Sequence, residues 1–269
     1  MKLVSLLAGI LLSQQIFALT NSLVAEDPIW SSVVKIEVDG RAEDGQIGPG
    51  FCVATLLRSN MLVTAAHCVN DANKLFIRGI RVIMGHYIYR TMPDGSRRRI
   101  GYMPNATVRT TGSFLTRGTD PGSAGDMAVV ILDHPLSLPE GFRFPTLATA
   151  AEVSAVRDYP SDYWPTIVTL SSEETTSSDF RRMARLNDFS WAQFSGYYQS
   201  QSLSRVQPGD SGAPVFVRIG AHWKLLATVK GHAKNFYSEW DVFESAEDNL
   251  CAIVSGRVRP DLQRSFCSN

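Results

Sequence analysis

Short apolar runs separated by turn residues constrain this chain more than any other feature. They fall at Ser32–Val38, Phe51–Leu57, Met61–Ala65, Ile80–Met84, Met127–Leu132, Thr166–Leu170, Pro214–Val217 and Lys224–Val229, and Gly, Pro, Asp and Asn lie between them. Many are rich in β-branched side chains, which pack well on a pleated surface, so the pattern reads as an all-β protein of sandwich or barrel type. Long amphipathic helices are missing. The best helical candidates are a turn at Ala65–Val69, a stretch around Asp179–Leu186, and the tail after Pro260, where proline suits a first helical turn. The segment "DHPLSLPEGFRFPTLAT" (133–149) reads as a linker between two β-rich halves, one starting near Trp30 and the other running to about Val254.

The charges narrow the partners. Lys plus Arg and Asp plus Glu each number 26, so no global field favours nucleic acid or an anionic membrane. The basic run Arg97–Arg99 reads as a solvated loop. At the N-terminus, "MKLVSLLAGILLSQQIFA" sets a lysine before an apolar stretch, with a small residue, Ala18, at a suitable cleavage point. This is the layout of a signal peptide over residues 1–18, and the stretch is too short for a stable membrane anchor. A secreted location, extracellular or periplasmic, follows, and it permits disulfides. Cys52, Cys68, Cys251 and Cys267 suit two bridges, although spacing alone leaves the pairing open. A zinc site is the rival use; it is weak because no Cys-x-x-Cys pair occurs and the histidines are scattered. No cofactor is implied.

Three segments carry chemistry: "TAAHC" (64–68), "GDMAVVIL" (125–132) and "QPGDSGAPVF" (207–216). Taken alone, the last is as well read as a turn. Together they supply His67, Asp126 and Ser211. A serine hydroxyl needs a base to take its proton during attack, and imidazole is poised for that. The base needs a carboxylate to fix its tautomer and stabilise the imidazolium. The oxyanion needs backbone N–H donors, for which Gly209 and Ser211 are the candidates. The order His, Asp, Ser differs from that of an α/β-hydrolase.

In this order, "TAAHC", "DMAVVIL" and "GDSGAP" resemble the signature segments of the chymotrypsin/trypsin-like serine proteases, and the resemblance covers most of the chain after residue 18. "GFCVATLLRSNMLVTAAHCV" is similar to the family's first disulfide hairpin, "RVIMGHYIY" to a later strand, and "HWKLLATVKG" to the strand pair after the nucleophile. The resemblance implies two six-stranded antiparallel Greek-key β-barrels with a short C-terminal helix, over 30–140 and 141–269, with 19–29 as an N-terminal segment or propeptide. It implies a monomeric serine endopeptidase acting on protein or peptide through an acyl-enzyme. Alternatives are a protease-fold binding protein without activity and an esterase on the same scaffold. The family pairs Cys52 with Cys68, which leaves Cys251 to Cys267.

The sequence departs from the family pattern in places. No Ile-Val-Gly-Gly-like segment precedes "SSVVKIEV", so the partner of Asp210 is open, and Ala213 stands where a second glycine is usual. Counted without gaps, the base of the substrate pocket falls on Arg205 and its wall on Lys230, Gly231 and His232, in place of Ser-Trp-Gly. The expectation is a pocket without a buried carboxylate, lined by basic groups, that does not select Lys or Arg. His86, His134 and His222 read as structural.

Overall fold

The computed structural model describes residues 23–24, 28–41, 50–69, 76–91, 97–110, 112–117, 125–138, 142–170, 181–192, 197–202, 206–234, 239–255 and 267. The strands in chain order are β1 (Leu23–Val24), β2 (Val33–Arg41), β3 (Gly50–Arg58), β4 (Met61–Thr64), β5 (Phe76–Thr91), β6 (Arg97–Thr110), β7 (Gly112–Arg117) and β8 (Met127–Leu132). After them come β9 (Thr146–Leu147), β10 (Thr166–Leu170), β11 (Arg181–Arg185), β12 (Ser190–Ala192), β13 (Tyr197–Ser200), β14 (Pro214–Ile219), β15 (His222–Lys234) and β16 (Glu239–Ser245). Two α-helices, α1 (Ala150–Asp158) and α2 (Ala246–Ser255), and short 3₁₀ turns at Pro28–Ser32, Ala66–Cys68 and Pro160–Tyr163 complete the described elements.

All eight apolar runs of the sequence coincide with strands, apart from the end residues Ser32 and Ala65. Every residue of β4 and β10 is buried, so these strands are covered on both faces and read as continuous apolar runs. Among the described residues the strands form two sheets, in the orders β6-β5-β2-β3-β4-β8-β7 and β1-β11-β10-β14-β15-β16-β13-β12. The pairings are antiparallel except for the short β9, which runs parallel to β15. Sheets of seven and nine strands exceed six each, in part because strands of two or three residues, such as β1, β9 and β12, add to the second.

One apolar core runs through both sheets: Trp30, Val33 and Val53 share it with Val215, Phe216 and Leu225. The Trp30 ring lies 5.0 Å from that of Phe216 and 5.1 Å from that of Trp223. A second cluster, including Ile36, Leu56 and Val130, belongs to the first sheet. The buried Arg181 of β11 crosses between the sheets, with Nε donating to the Val33 carbonyl at 3.0 Å and Nη2 to that of Ser31 at 3.3 Å.

The helices differ from the sequence expectation. Part of the 179–186 stretch is β11, paired with β10 and β1, because Arg181 reaches across to backbone carbonyls and its cationic head takes a core position. The C-terminal helix is α2, which follows β16 directly; the tail after Pro260 lies outside the described residues except for Cys267. The signal-peptide segment also lies outside them. Among the described residues no helix is long and apolar enough to cross a membrane.

The helix α1 starts where the proline-rich segment ends. Thr149 N–H donates to Glu152 Oε2 at 2.8 Å and the Thr149 hydroxyl accepts from Glu152 N–H, a capping box. Lys224 Nζ of β15 reaches the same carboxylate at 2.6 and 2.8 Å, fastening the helix to the sheet. Burial works to raise the Glu152 pKa, but Lys224 and the two Thr149 groups outweigh it and hold the carboxyl below its ordinary 4.5. A lowered native pKa stabilises the fold above the unfolded value, and that stability is lost as pH falls through the native one. The gap in melting temperature between the natural protein and Glu152→Gln is therefore expected to be largest above pH 4.5 and to shrink below it. A gap that does not change with pH would refute this.

Candidate active site

The register of the first sheet brings two of the chemical residues together. Thr64 at the end of β4 pairs with Ala128 of β8, so Asp126, just before β8, lies beside the turn that leaves β4. Gly125 enables the approach with a φ of +107°, which glycine adopts without strain. The turn itself, Ala66–Cys68, is short and lined by the buried Ala65 and Ala66. The small side chains leave space for the imidazole, and a disulfide from Cys68 to Cys52, near the start of β3, holds the turn down. In the chain-entropy account a loop of this size is worth about 3 kcal/mol.

Asp126 grips His67 twice. Its Oδ1 accepts from the His67 backbone N–H at 2.8 Å and its Oδ2 lies 2.6 Å from Nδ1. The carboxylate is 2% exposed and the imidazole 32%, so the acid is sealed and the ring keeps an accessible edge. With Asp126 ionised, Nδ1 carries the hydrogen and Nε2 is left as the basic nitrogen.

Ser211 arrives from the second sheet on a compact turn. Asp210 N–H donates to the Gln207 carbonyl and Ala213 N–H to that of Asp210, while Gly212 N–H donates to the Val229 carbonyl of β15. The Ser211 carbonyl accepts from Val53 N–H of β3 at 2.8 Å and lies 3.9 Å from Cys68 Sγ. Gly212 has a φ of +80°, and a Cβ there would sit 2.2 Å from Thr64 Oγ1, 2.3 Å from the Val53 carbonyl and 2.9 Å from Ala65 N. Backbone presses on backbone at this point, within a few residues of His67. Gly209 also lies in the left-handed region, at φ +98°.

Two partners of Asp210 lie among the described residues. It is fully buried, with Oδ1 accepting from the Thr169 hydroxyl of β10 at 2.6 Å and Oδ2 from Gln207 N–H at 2.9 Å. Sequence reasoning missed Thr169, because only the β10–β14 pairing brings it there.

Lys230 and His232, which the ungapped count assigns to the substrate wall, have acidic partners in the fold. Buried carboxylates are present on the neighbouring β16: Asp241 is in register with His232 of β15, and Glu244, in register with Thr228, reaches Lys230. Lys230 Nζ donates to Glu244 Oε1 at 3.0 Å, both groups buried, and His232 Nδ1 lies 3.0 Å from Asp241 Oδ1. Asp241 Oδ2 accepts from Val206 N–H, on the segment leading to Ser211. The buried lysine needs an anionic partner and the histidine two residues on needs a hydrogen-bond partner, and β16 supplies both. Arg205 lies outside the described residues.

Cys52, His67 and Cys68 place their ligand-type atoms within 4.8 Å of one another. Both sulfurs are bonded to each other and offer no thiolate, so the cluster does not fit a metal. The second disulfide joins Cys251 of α2 to Cys267.

Two sheets that share a core, with a carboxylate-held histidine on one and, from the other, a serine turn whose Ser211 carbonyl accepts from Val53 N–H of the first, fit a β-class serine-protease architecture. The Trypsin family model matches residues 25–234, and the chain belongs to this family of serine proteases. A search of curated proteins finds no match.

Proposed function

We propose that this protein is a secreted serine endopeptidase with Ser211 as nucleophile, His67 as base and Asp126 as the carboxylate that orients it. The observation that carries the reading is the double grip of Asp126 on His67 beside the docked Ser211–Gly212 turn. In the reaction Ser211 Oγ attacks the scissile carbonyl while His67 Nε2 takes its proton, then returns it to the leaving amine, giving an acyl-enzyme that water hydrolyses. Asp210, Gly212 and Ala213 direct their N–H groups to carbonyls of the fold, which leaves Gly209 and Ser211 as donors to the oxyanion. In this reading 30–140 and 141–269 are two antiparallel barrels, and residues 1–18 are a signal peptide removed on export. A monomer acting on protein substrates fits this reading.

A fluorophosphonate probe tests it on the secreted protein. The expected result is a single adduct that peptide mapping places on Ser211, blocked by prior incubation at denaturing pH. No adduct on Ser211 under native conditions would favour a binding protein that has the fold without the activity.

A further inference from the structure

The strand β10 is buried at every position, and at Thr169 a valine would fill the same shape. The threonine hydroxyl, enclosed in an apolar run, needs a partner, and it donates to Asp210 Oδ1 at 2.6 Å. The contact lies just beyond the end of the β10–β14 ladder. The last pair is Ile167 with Val215, and the next residue of β14, Pro214, has no N–H to continue it. Immediately before Pro214 comes the nucleophile turn, so a side chain of β10 makes the link where the backbone ladder stops.

Asp210 is held at both main-chain groups and at both carboxylate oxygens. Its N–H donates to the Gln207 carbonyl at 3.0 Å, its carbonyl accepts from Ala213 N–H at 2.9 Å, and Oδ2 accepts from Gln207 N–H at 2.9 Å. Its neighbours differ. Gly209 and Ser211 are partly exposed on either side of the buried Asp210, and Gly209, at φ +98°, has no side chain to fix its peptide planes. With another left-handed glycine at 212, the turn is intrinsically soft, and the buried side chain between the two glycines is its anchor.

We propose that Thr169 is a positioning residue of this protease: its hydroxyl clamps Asp210 and thereby aims the Gly209 and Ser211 N–H groups at the oxyanion. This rests on the endopeptidase reading above. Thr169 does not touch the substrate. Without its hydroxyl, Asp210 Oδ1 loses a donor inside the fold, and a buried carboxylate that is short of donors shifts to recover them. The shift is carried along the chain to the peptide planes on either side of residue 210. Binding of the substrate ground state is left intact, while the developing oxyanion finds its donors misaimed. Outright removal of one such donor costs about a hundredfold to a thousandfold in kcat, so displacement is expected to cost about tenfold to a hundredfold.

The test compares the natural protein with Thr169→Val, which keeps the shape and lacks the hydroxyl, and Thr169→Ser, which keeps the hydroxyl. Each is measured for kcat and KM on a peptide that the natural protein cleaves, and for inhibition by the aldehyde and the alcohol of that peptide. The aldehyde forms a tetrahedral adduct with Ser211 and places an oxygen in the oxyanion site; the alcohol makes the same side-chain contacts without the adduct. Thr169→Val is expected to lower kcat and aldehyde affinity by about tenfold or more, with KM and alcohol affinity little changed, and Thr169→Ser to restore both. The aldehyde-to-alcohol ratio is taken within one sample, so it is independent of how much of the variant folds. An unchanged ratio in Thr169→Val, or a ratio that Thr169→Ser does not restore, would overturn the proposal. Fluorophosphonate labelling of the natural protein separates the two failures: with Ser211 labelled and the ratio unmoved, only the role of Thr169 is lost, whereas an unlabelled Ser211 removes the endopeptidase reading and this proposal with it.

Discussion

Ser211→Ala is expected to lower kcat by about six powers of ten, equivalent to about 8 kcal/mol of transition-state stabilisation. The fold should be untouched, because the docking contacts of this turn are made by the Ser211 carbonyl and by Gly212, not by the hydroxyl. His67→Ala should be about as damaging, and the double variant no worse than either, since a nucleophile without its base and a base without its nucleophile are equally idle. Asp126→Asn should be milder, at about four powers of ten. The amide changes the hydrogen-bonding pattern toward Nδ1, so the imidazole is presented in the wrong tautomer. Single-turnover rates on a peptide substrate, with melting temperatures as the control, check the series. Near-normal turnover in Ser211→Ala would remove Ser211 as the nucleophile.

Gly212→Ala is expected to be the most destabilising single-methyl change in the described chain, at roughly 4 kcal/mol or more. Two effects add. The φ of +80° strains any side chain, and the new Cβ would meet the Val53 carbonyl and Ala65 N, backbone atoms of elements already held in place by sheet pairing and the Cys52–Cys68 bridge. A loss of this size is a large share of the 5–15 kcal/mol that typically holds a folded domain together. Gly220→Ala provides the control, since Gly220 also has a positive φ, of +60°, but open space around it, so only the strain of about 1–2 kcal/mol applies. Denaturant midpoints compare the two. Equal midpoints would mean that the contact at Gly212 yields easily.

What the sequence makes legible follows from how local each signal is. Runs such as "MLVT" and "TIVTL" announce themselves because buried strands need apolar, β-branched residues at every position. "RRMAR" does not, since Arg181 occupies a buried site by donating to carbonyls distant in sequence, and no local pattern encodes that. The capping box before α1 was present as Thr149-Ala-Ala-Glu152, a readable start signal overshadowed by the surrounding prolines. The helix α2 begins without punctuation after β16, so nothing local separates the two. Within the site, His67, Asp126 and Ser211 stand in compact motifs. Thr169, Asp241 and Glu244 do not, because their roles depend on strand order and on a bulge at Val229–Gly231 that shifts which residues face each other.

The position of Trp30 has a consequence for how the protein comes to be folded. Its ring rests on Phe216 and Trp223, which are synthesised only after most of the chain has emerged. Contacts so distant in sequence form late, because a long loop must close before they contribute. Until then the first sheet presents Trp30, Val33 and Val53 as an uncovered apolar face, a surface on which newly made chains adhere to one another. Once the second half is in place the shared core links the two sheets into one cooperative unit. The first half keeps a cluster of its own around Ile36, Leu56 and Val130, but the larger core is shared, and heat should melt the two halves in a single transition.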